Sequence, residues 1–162
     1  MQSSPTYLLG IDIGSTTLKT VVLDESHTLI YACYVRHYSK PLEILRAEIA
    51  EIQKKIPADA NISLAFSGSA ALTLAEKLNA LFVQEVFATK IAAQKYMPDT
   101  DIVIELGGED AKILFLSGGL EVRMNGSCAG GTGAFIDQMA TLLKMSPSEL
   151  YDYATATTQI YT

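Results

Sequence analysis

Three glycine-rich turns, each next to an apolar strand-like segment, constrain the fold of this chain more than any other sequence feature. They are GIDIG (10–14), ELGGED (105–110) and NGSCAGGTG (125–133). Glycine permits tight turns and lets backbone N–H groups approach an anion closely. Three such turns in one short chain indicate nucleotide or phosphate chemistry, and the third turn also carries a cysteine.

The order of strand-like and helix-like segments predicts a mixed α/β layer. β-Branched or apolar runs predict strands, and apolar residues at helical spacing predict helices. The predicted strands are 7–13, 17–24, 28–38, 62–66, 101–106, 111–117 and 120–123, of which the first and fifth are expected to be buried. The predicted helices are 41–56, 70–78, 86–96, 133–143 and 147–153. The last helix begins with a capping-box pattern from Ser146 to Glu149.

Bulk properties exclude several classes of protein. A chain of 162 residues fits one domain or one lobe of a larger protein. The net charge of −6, with no basic stripe, argues against a nucleic-acid partner. No apolar run is long enough to span a bilayer and no secretion signal opens the chain, so we expect no membrane partner and a cytoplasmic location. Because 49% of the residues are hydrophobic, some faces are expected to be covered by further sequence or a partner.

The first glycine turn has the groups that a phosphate hairpin needs. Gly14 permits the turn, Asp12 is placed to hold a hydrated Mg²⁺, and Lys19 is placed to balance charge. The candidate phosphate donors are the backbone N–H groups and hydroxyls of Ser15, Thr16 and Thr17. A polar hairpin with an Asx turn is the alternative interpretation.

The second glycine turn repeats this pattern. Glu105 ends a strand beside Gly107 and Gly108, where a carboxylate can orient a water or a metal ion near a γ-phosphate. A surface turn with solvated acids is the alternative. This turn is not the helix-cradled loop of P-loop enzymes, since no GxxxxGK[ST] is present.

The third turn places Cys128 before a predicted helix. A thiolate surrounded by free N–H groups at a helix N-terminus suits a metal–sulfur cluster or a phosphate, and a small buried side chain is the alternative. Cys33 is expected to pack in a strand, and His27 and His37 to be solvated or capping. Lys112 either meets a phosphate or is simply exposed. Helical spacing predicts core positions for Phe135, Met139, Leu142 and Met145.

The motifs together resemble a known superfamily. GIDIGSTTLK (10–19) resembles the first phosphate hairpin, and ELGGEDAK (105–112) the second, of the actin, sugar-kinase and heat-shock-chaperone ATPases. With NGSCAGGTGAFID (125–137), the chain is similar to the BadF/BadG/BcrA/BcrD-type ATPases. These are the ATP-dependent activators of 2-hydroxyacyl-CoA dehydratases and the ATPase subunits of benzoyl-CoA reductase. Glu105, Glu109 and QEVFA (84–88) look more like the first activator module of long fused activator/dehydratase-like proteins.

The resemblance implies an α/β fold, the ribonuclease H-like lobe of the actin-like ATPases. Residues 1–162 would form an N-terminal ATPase lobe with phosphate hairpins 8–24 and 101–117 and cysteine loop 125–133, the adenosine-binding lobe being absent. Asp12 and Glu105 would be catalytic, with ATP phosphates bound by Gly14, Ser15, Thr16, Thr17, Lys19, Gly107 and Gly108 and Mg²⁺ held by Asp12 through water. This lobe alone would hydrolyse ATP poorly or not at all.

The resemblance also implies an electron-transfer role. A homodimer, or a pseudo-dimer with a second activator module, would hold one [4Fe–4S] cluster, with Cys128 as one ligand and a second cysteine outside this chain. ATP hydrolysis would drive a low-potential electron to a dehydratase or reductase partner, possibly in cis. Two alternatives stay open: a sugar or small-acid kinase of the same superfamily, which would require its substrate for turnover, and a non-catalytic docking module, which would not bind Mg·ATP.

Overall fold

The chain folds into two compact units, Met1–Asp99 (unit 1) and Thr100–Thr162 (unit 2). The structure, a computed structural model, describes residues 4–126 and 132–158. Cys128 and the rest of 127–131 lie outside the described residues.

Unit 1 is a five-stranded mixed sheet with three helices. Its elements are β1 (Thr6–Ile13), β2 (Thr17–Asp24), β3 (Leu29–Arg36), α1 (Pro41–Gln53), β4 (Asn61–Ser67), α2 (Leu72–Lys77), β5 (Leu81–Phe82) and α3 (Glu85–Tyr96). The strand order is β3-β2-β1-β4-β5, antiparallel from β3 to β1 and parallel from β1 to β5. The three N-terminal strands therefore form a meander, and β4 returns beside the first of them.

The core of unit 1 follows from the two-residue alternation of its strands. Leu9, Ile11 and Ile13 of β1 are buried with Leu18 and Val22 of β2. Phe66 and the helix residues Ile52, Ala71 and Ala75 complete the same cluster. Because side chains alternate along a strand, Asp12 is directed to the opposite face of the sheet from Ile11 and Ile13.

Most predicted elements of unit 1 are confirmed, with small differences at their ends and one addition. The first helix ends at Gln53 rather than 56, the second spans only Leu72–Lys77, and the third strand stops at Arg36. The additional strand, β5, is two residues long and pairs in parallel with β4. A strand of two residues shows no periodicity, so only its pairing reveals it.

Unit 2 is an antiparallel meander followed by two helices. It contains β6 (Ile102–Leu106), β7 (Ala111–Phe115), β8 (Glu121–Met124), α4 (Gly133–Leu142) and α5 (Pro147–Ala156), with sheet order β6-β7-β8. The predicted capping box of α5 is confirmed: Ser146 Oγ accepts from Glu149 N, and Glu149 accepts from Ser146 N at 2.7 Å.

Two predictions of burial in unit 2 are wrong. Alternate residues of β6, among them Ile104 at 66% exposure, are exposed, so this strand is not buried on both faces. Phe135 and Leu142 of α4 are also exposed rather than core, whereas Ala140 is buried. Helical spacing identifies one face of a helix, but it does not say what covers that face.

None of the helices in the described residues is both long enough and apolar enough to cross a membrane.

A buried polar cluster lies between β2, β3 and α1. Glu48 is 9% exposed, and its Oε2 accepts from the hydroxyl of Tyr31 at 2.8 Å and from that of Thr20 at 3.5 Å. The hydrogen bond to Glu48 raises the pKa of Tyr31 well above its usual value. Burial raises the pKa of Cys33, which is half-buried beside the same carboxyl rather than among apolar side chains alone.

Tyr31→Phe is expected to lower the free energy of unfolding by about 1–3 kcal/mol, because it removes a donor from a buried carboxylate. Since folding raises the pKa of Tyr31, this contribution is complete below the pKa of an unfolded tyrosine, about 10, and declines as pH rises above it. Urea denaturation at several pH values measures both effects. Tyr34→Phe is the matched control, because Tyr34 is 69% exposed. An equal loss in the two variants would contradict the assignment.

Candidate functional site

The first hairpin contains both Asp12 and Lys19, as the sequence predicts, and it brings the two side chains into contact. The two residues are register partners in β1 and β2, and Lys19 Nζ donates to Asp12 Oδ2 at 2.6 Å. The ammonium also lies 5.5 Å from the ring centroid of Tyr34, its partner on β3. Lys19 is therefore held over the end of the sheet by a carboxylate on one side and an aromatic ring on the other.

The turn between β1 and β2 is fixed by its own backbone. Gly14 N donates to Thr17 O at 3.0 Å, which closes the turn around Ser15 and Thr16. Ser15 is exposed, Thr16 is half-buried, and Thr17 is 9% exposed. Within the described residues no hydrogen bond is made by the N–H of Ser15 or Thr16, so both remain available to an anion.

Gly68 packs directly over Asp12. It follows β4, which runs parallel to β1 with Ser67 opposite Asp12, and it has a φ of +93°. A Cβ at Gly68 would lie 2.4 Å from Asp12 Oδ1 and 2.3 Å from Ile13 O, closer than any real contact. Ile13 O also accepts from Ala70 N at 3.0 Å, so the loop after β4 is fastened to the end of β1.

Asp12 keeps one acceptor unused. Its Oδ1 is buried and has no hydrogen-bond partner among the described residues, although Oδ2 is bound to Lys19. A buried carboxylate oxygen without a donor is costly, and the water shell of a bound cation supplies such donors. The residues present therefore fit a hydrated Mg²⁺ at Asp12.

The second hairpin, in unit 2, has the same plan. Glu105 and Lys112 are register partners in β6 and β7, with Nζ 3.7 Å from Glu105 Oε1, and Glu105 Oε2 is buried without a partner in the described part of the chain. Gly107 N donates to Asp110 O at 2.8 Å, as Gly14 N does to Thr17 O. The Lys112 side chain is only 11% exposed, so the expectation of an exposed lysine is wrong.

Both hairpins thus share one arrangement of acid, glycine and lysine. In each, the acid stands two residues before the glycine whose N–H closes the turn, and the lysine lies across the ladder from the acid. Each acid has one oxygen near the lysine and one buried oxygen that lacks a donor among the described residues. A purely solvated surface turn would leave neither oxygen buried.

The flanks of the cysteine loop are anchored to the second hairpin. Asn125 exchanges hydrogen bonds with Ala111, through its side chain at 3.0 Å and its backbone N–H at 3.1 Å. On the other flank, Thr132 Oγ1 and Ala134 N donate to Gly108 O, and Gly133 N donates to Gly107 O at 2.9 Å. Cys128 itself lies outside the described residues, so its ligand role stays a prediction.

These contacts correct one expectation about α4. The first N–H groups of this helix were expected to face an anion at the cysteine, but those of Gly133 and Ala134 already bind the carbonyls of Gly107 and Gly108. Helix N-termini leave their first N–H groups unpaired within the helix, and here the protein itself satisfies two of them. The hairpin and the cysteine loop are therefore mechanically connected.

The remaining candidates are the possible metal ligands and the two histidines. Among the described residues no group of three or more His, Cys, Asp or Glu side chains is placed to hold a metal ion. His27 is exposed, as expected, with Lys95 Nζ 3.0 Å from its Nδ1. His37, expected to be solvated or capping, is instead only 4% exposed, and its ring contacts Gly14 O.

Sequence reasoning missed two residues of this site, Gly68 and His37. Both reach the first hairpin through strand pairing rather than through neighbouring sequence. The available signal for Gly68 was a glycine directly after a strand that pairs with β1. For His37 it was a polar residue at the end of the strand that pairs with the outgoing arm of the hairpin.

Two solved structures are similar in fold to this chain. A crystal structure of component A of (R)-2-hydroxyglutaryl-CoA dehydratase from Acidaminococcus fermentans superposes with a TM-score of 0.81 at 25% identity, covering 97% of this chain and 61% of that one. The activator of 2-hydroxyisocaproyl-CoA dehydratase from Clostridium difficile, with bound ADPNP, gives 0.72 at 25% identity, covering 96% and 59%.

The sequences show the same relationship. The (R)-2-hydroxyglutaryl-CoA dehydratase activating ATPase of Acidaminococcus fermentans is 28% identical over 160 residues, which cover 94% of this chain and 60% of that protein. Residues 9–161 match the BadF/BadG/BcrA/BcrD ATPase family, and the chain belongs to that family. The predicted fold class, the ribonuclease H-like lobe of an actin-like ATPase, is confirmed. The chain spans about 60% of the length of this relative.

Proposed function

We propose that this chain is the phosphate-binding lobe of an ATP-dependent activator that drives a low-potential electron to a 2-hydroxyacyl-CoA dehydratase-like or CoA-thioester reductase partner. The observation that carries the proposal is the Asp12–Lys19 hairpin. It combines a closed glycine turn, two uncommitted N–H groups and a buried carboxylate oxygen without a donor among the described residues. Its relatives are activators of CoA dehydratases, and one of them was solved with bound ADPNP.

In the first hairpin, the N–H groups of Ser15 and Thr16 bind phosphate oxygens of ATP. Their alignment in a tight turn makes a small anion-binding concavity. Lys19 supplies a positive charge, and its contacts with Asp12 and Tyr34 restrict its side chain before the nucleotide arrives. Asp12 holds the water shell of Mg²⁺ through Oδ1, whereas Gly14 and Thr17 shape the turn.

In the second hairpin, Glu105 orients a water molecule for attack on phosphate. Its buried Oε2 has no donor within the described residues, so it is an acceptor for a water proton. Lys112 stands across the ladder, with its Nζ 3.7 Å from Oε1 of the same carboxylate. Gly107 and Gly108 place their carbonyls on the N-terminal end of α4, so a movement of this turn displaces the helix that follows the cysteine loop.

Cys128 ligates the [4Fe–4S] cluster in this proposal, with a second copy or a second activator module completing the ligand set. When bound, such a cluster supplies a one-electron centre of low potential. The chain's own contribution is the anchoring of both flanks of the loop to the second hairpin. The dehydratase or reductase partner accepts the electron, whether in trans or as a later part of the same protein.

The experiment that tests this function is anaerobic reconstitution of the full-length protein with iron and sulfide, with bound iron and Mg·ADPNP binding measured together. Cys128→Ser is expected to lose most of the bound iron and the visible absorbance of the cluster, while Mg·ADPNP binding stays within about twofold. Serine keeps the size of the side chain but removes the thiolate that iron requires.

Cys33→Ser is the matched control, because Cys33 is the other cysteine of the chain and lies beside Glu48 in the polar cluster. It is expected to retain the iron of the wild type. Unchanged iron in the Cys128 variant would end the electron-transfer part of the proposal. A wild type that bound no Mg·ADPNP would end the ATPase part.

A further inference from the structure

His37 contacts the turn of the first hairpin through both its backbone and its side chain. It follows β3 and is 4% exposed. Its backbone N–H donates to Thr16 O at 3.1 Å, and its Nε2 is 3.0 Å from Gly14 O. Its own carbonyl accepts from Lys40 N at 2.7 Å, so the segment that leads into α1 is fastened at the same residue.

The carbonyl of Gly14 determines which ring nitrogen of His37 carries a proton. A carbonyl oxygen only accepts, so Nε2 must carry a proton to make this hydrogen bond. Nδ1 is buried and has no partner in the described part of the chain, which leaves it without an acceptor for a second proton. The tautomer that carries its proton on Nε2 is the one that these contacts favour.

The same contacts set the direction of the turn's N–H groups. In a trans peptide the C=O of one residue and the N–H of the next point in opposite directions, and no described peptide bond is cis. Because Gly14 O points at the His37 ring, the N–H of Ser15 must point away from it. Because Thr16 O points at the His37 backbone, the N–H of Thr17 also points away. One residue thus orients two peptide planes of the turn.

We propose that His37 is a positioning residue of this hairpin: its Nε2–H fixes the Gly14 peptide so that the Ser15 N–H faces the phosphate. The inference rests on the proposed ATP-binding function of the hairpin. It makes His37 act through the turn and not on the nucleotide itself. A donor of matching length at position 37 preserves phosphate binding, and an apolar side chain of similar size does not.

Two substitutions separate this role from plain packing. His37→Gln places an amide nitrogen near the position of Nε2, and His37→Leu fills the space without a donor. Titration of the full-length protein with Mg·ADPNP is expected to show about tenfold weaker binding for the leucine variant, the scale of one hydrogen bond to a charged group. The glutamine variant is expected within about threefold of wild type. Equal weakening of both, or no change in either, would overturn the proposal.

If the leucine variant does not fold, His37→Asn replaces it, because its shorter amide does not reach Gly14 O and it should weaken binding as leucine would. A second readout needs no nucleotide: the ¹⁵N shifts of the imidazole are expected to show a proton on Nε2 and none on Nδ1 at neutral pH. The opposite tautomer would refute the hydrogen bond from His37 to Gly14 O, and with it the proposal, whatever the binding result. If the wild type binds no Mg·ADPNP but shows this tautomer, the result counts against the proposed function. It still supports the hydrogen bond from His37 Nε2–H to Gly14 O.

Discussion

Replacing Gly68 by alanine is expected to lower the free energy of unfolding of unit 1 by about 2–5 kcal/mol, from two separate costs. Gly68 has a φ of +93°, a region in which an L side chain costs about 1–2 kcal/mol. The new methyl would also lie 2.3 Å from Ile13 O and 2.4 Å from Asp12 Oδ1. Relieving such an overlap typically costs about 1–3 kcal/mol. Urea denaturation followed by circular dichroism measures the sum.

Two other glycines separate these costs. Gly118 also has a positive φ, +75°, but a Cβ there would contact nothing within 4 Å, so Gly118→Ala in unit 2 measures the backbone cost alone. Gly10 has neither a positive φ nor a close neighbour, and Gly10→Ala is expected to change stability by less than about 1 kcal/mol. If Gly68→Ala lowers the free energy of unfolding by no more than Gly118→Ala does, the loop can move away from Asp12 at little cost and the contact between them is not tight.

The Gly68 variant should also bind nucleotide poorly even where it remains folded. Ile13 O is a backbone atom held by Ala70 N, so the side chain of Asp12 is the more mobile of the two obstacles. Moving this carboxylate displaces the acceptor assigned to the magnesium water shell. The close approach of the loop after β4 is therefore expected to affect nucleotide binding at the proposed site as well as stability.

The local parts of the site could be predicted from sequence because each lies within one hairpin. An acid two residues before a glycine, followed by a β-branched strand with a lysine, predicts the hairpin and places Asp12 and Lys19 in it, and the structure adds their direct contact. In unit 2 the sequence located Glu105 and its glycine turn, but the contact of Lys112 with Glu105 was not predicted. A hairpin turn determines its own register, so no information from distant residues is needed.

The other parts depend on pairings between distant segments. Gly68 reaches Asp12 only because β4 lies parallel to β1, and His37 reaches Gly14 only because β3 pairs with β2. Parallel pairing joins segments separated by a long connection, and no local pattern encodes which neighbour is chosen. The prediction of buried residues was wrong for a related reason. Ile104 and Phe135 look like core residues in the sequence, but their exposure depends on what packs against the face on which they lie.

The ion pair between Asp12 and Lys19 contributes too little to stability to explain its presence. Asp12 and Lys19 form a short contact, but their side chains keep 28% and 39% of their exposure. Ion pairs of this kind contribute about 0–1 kcal/mol. A pair that adds so little to folding, and that leaves one carboxylate oxygen buried without a donor among the described residues, is better explained by a ligand.

Asp12→Asn is therefore expected to affect catalysis far more than stability. The amide keeps the shape of the side chain but loses the charge that holds the water shell of Mg²⁺. ATP hydrolysis by the full-length protein should fall at least about 100-fold, equal to about 2.7 kcal/mol of activation free energy. Because the pair is partly exposed, the free energy of unfolding should change by less than about 1 kcal/mol.

The magnesium dependence of nucleotide binding provides the sharper test of Asp12. In the wild type Mg²⁺ should strengthen ADPNP binding, and in the Asn variant most of this gain should disappear while binding without Mg²⁺ changes little. Asp24→Asn is the matched control, since Asp24 lies at the other end of the same hairpin and accepts from Ser26 N and Thr28 N. If the Asp12 variant keeps the full magnesium effect, Asp12 is not the metal-binding carboxylate. If it instead loses several kcal/mol of stability, the buried oxygen serves the fold and not the nucleotide.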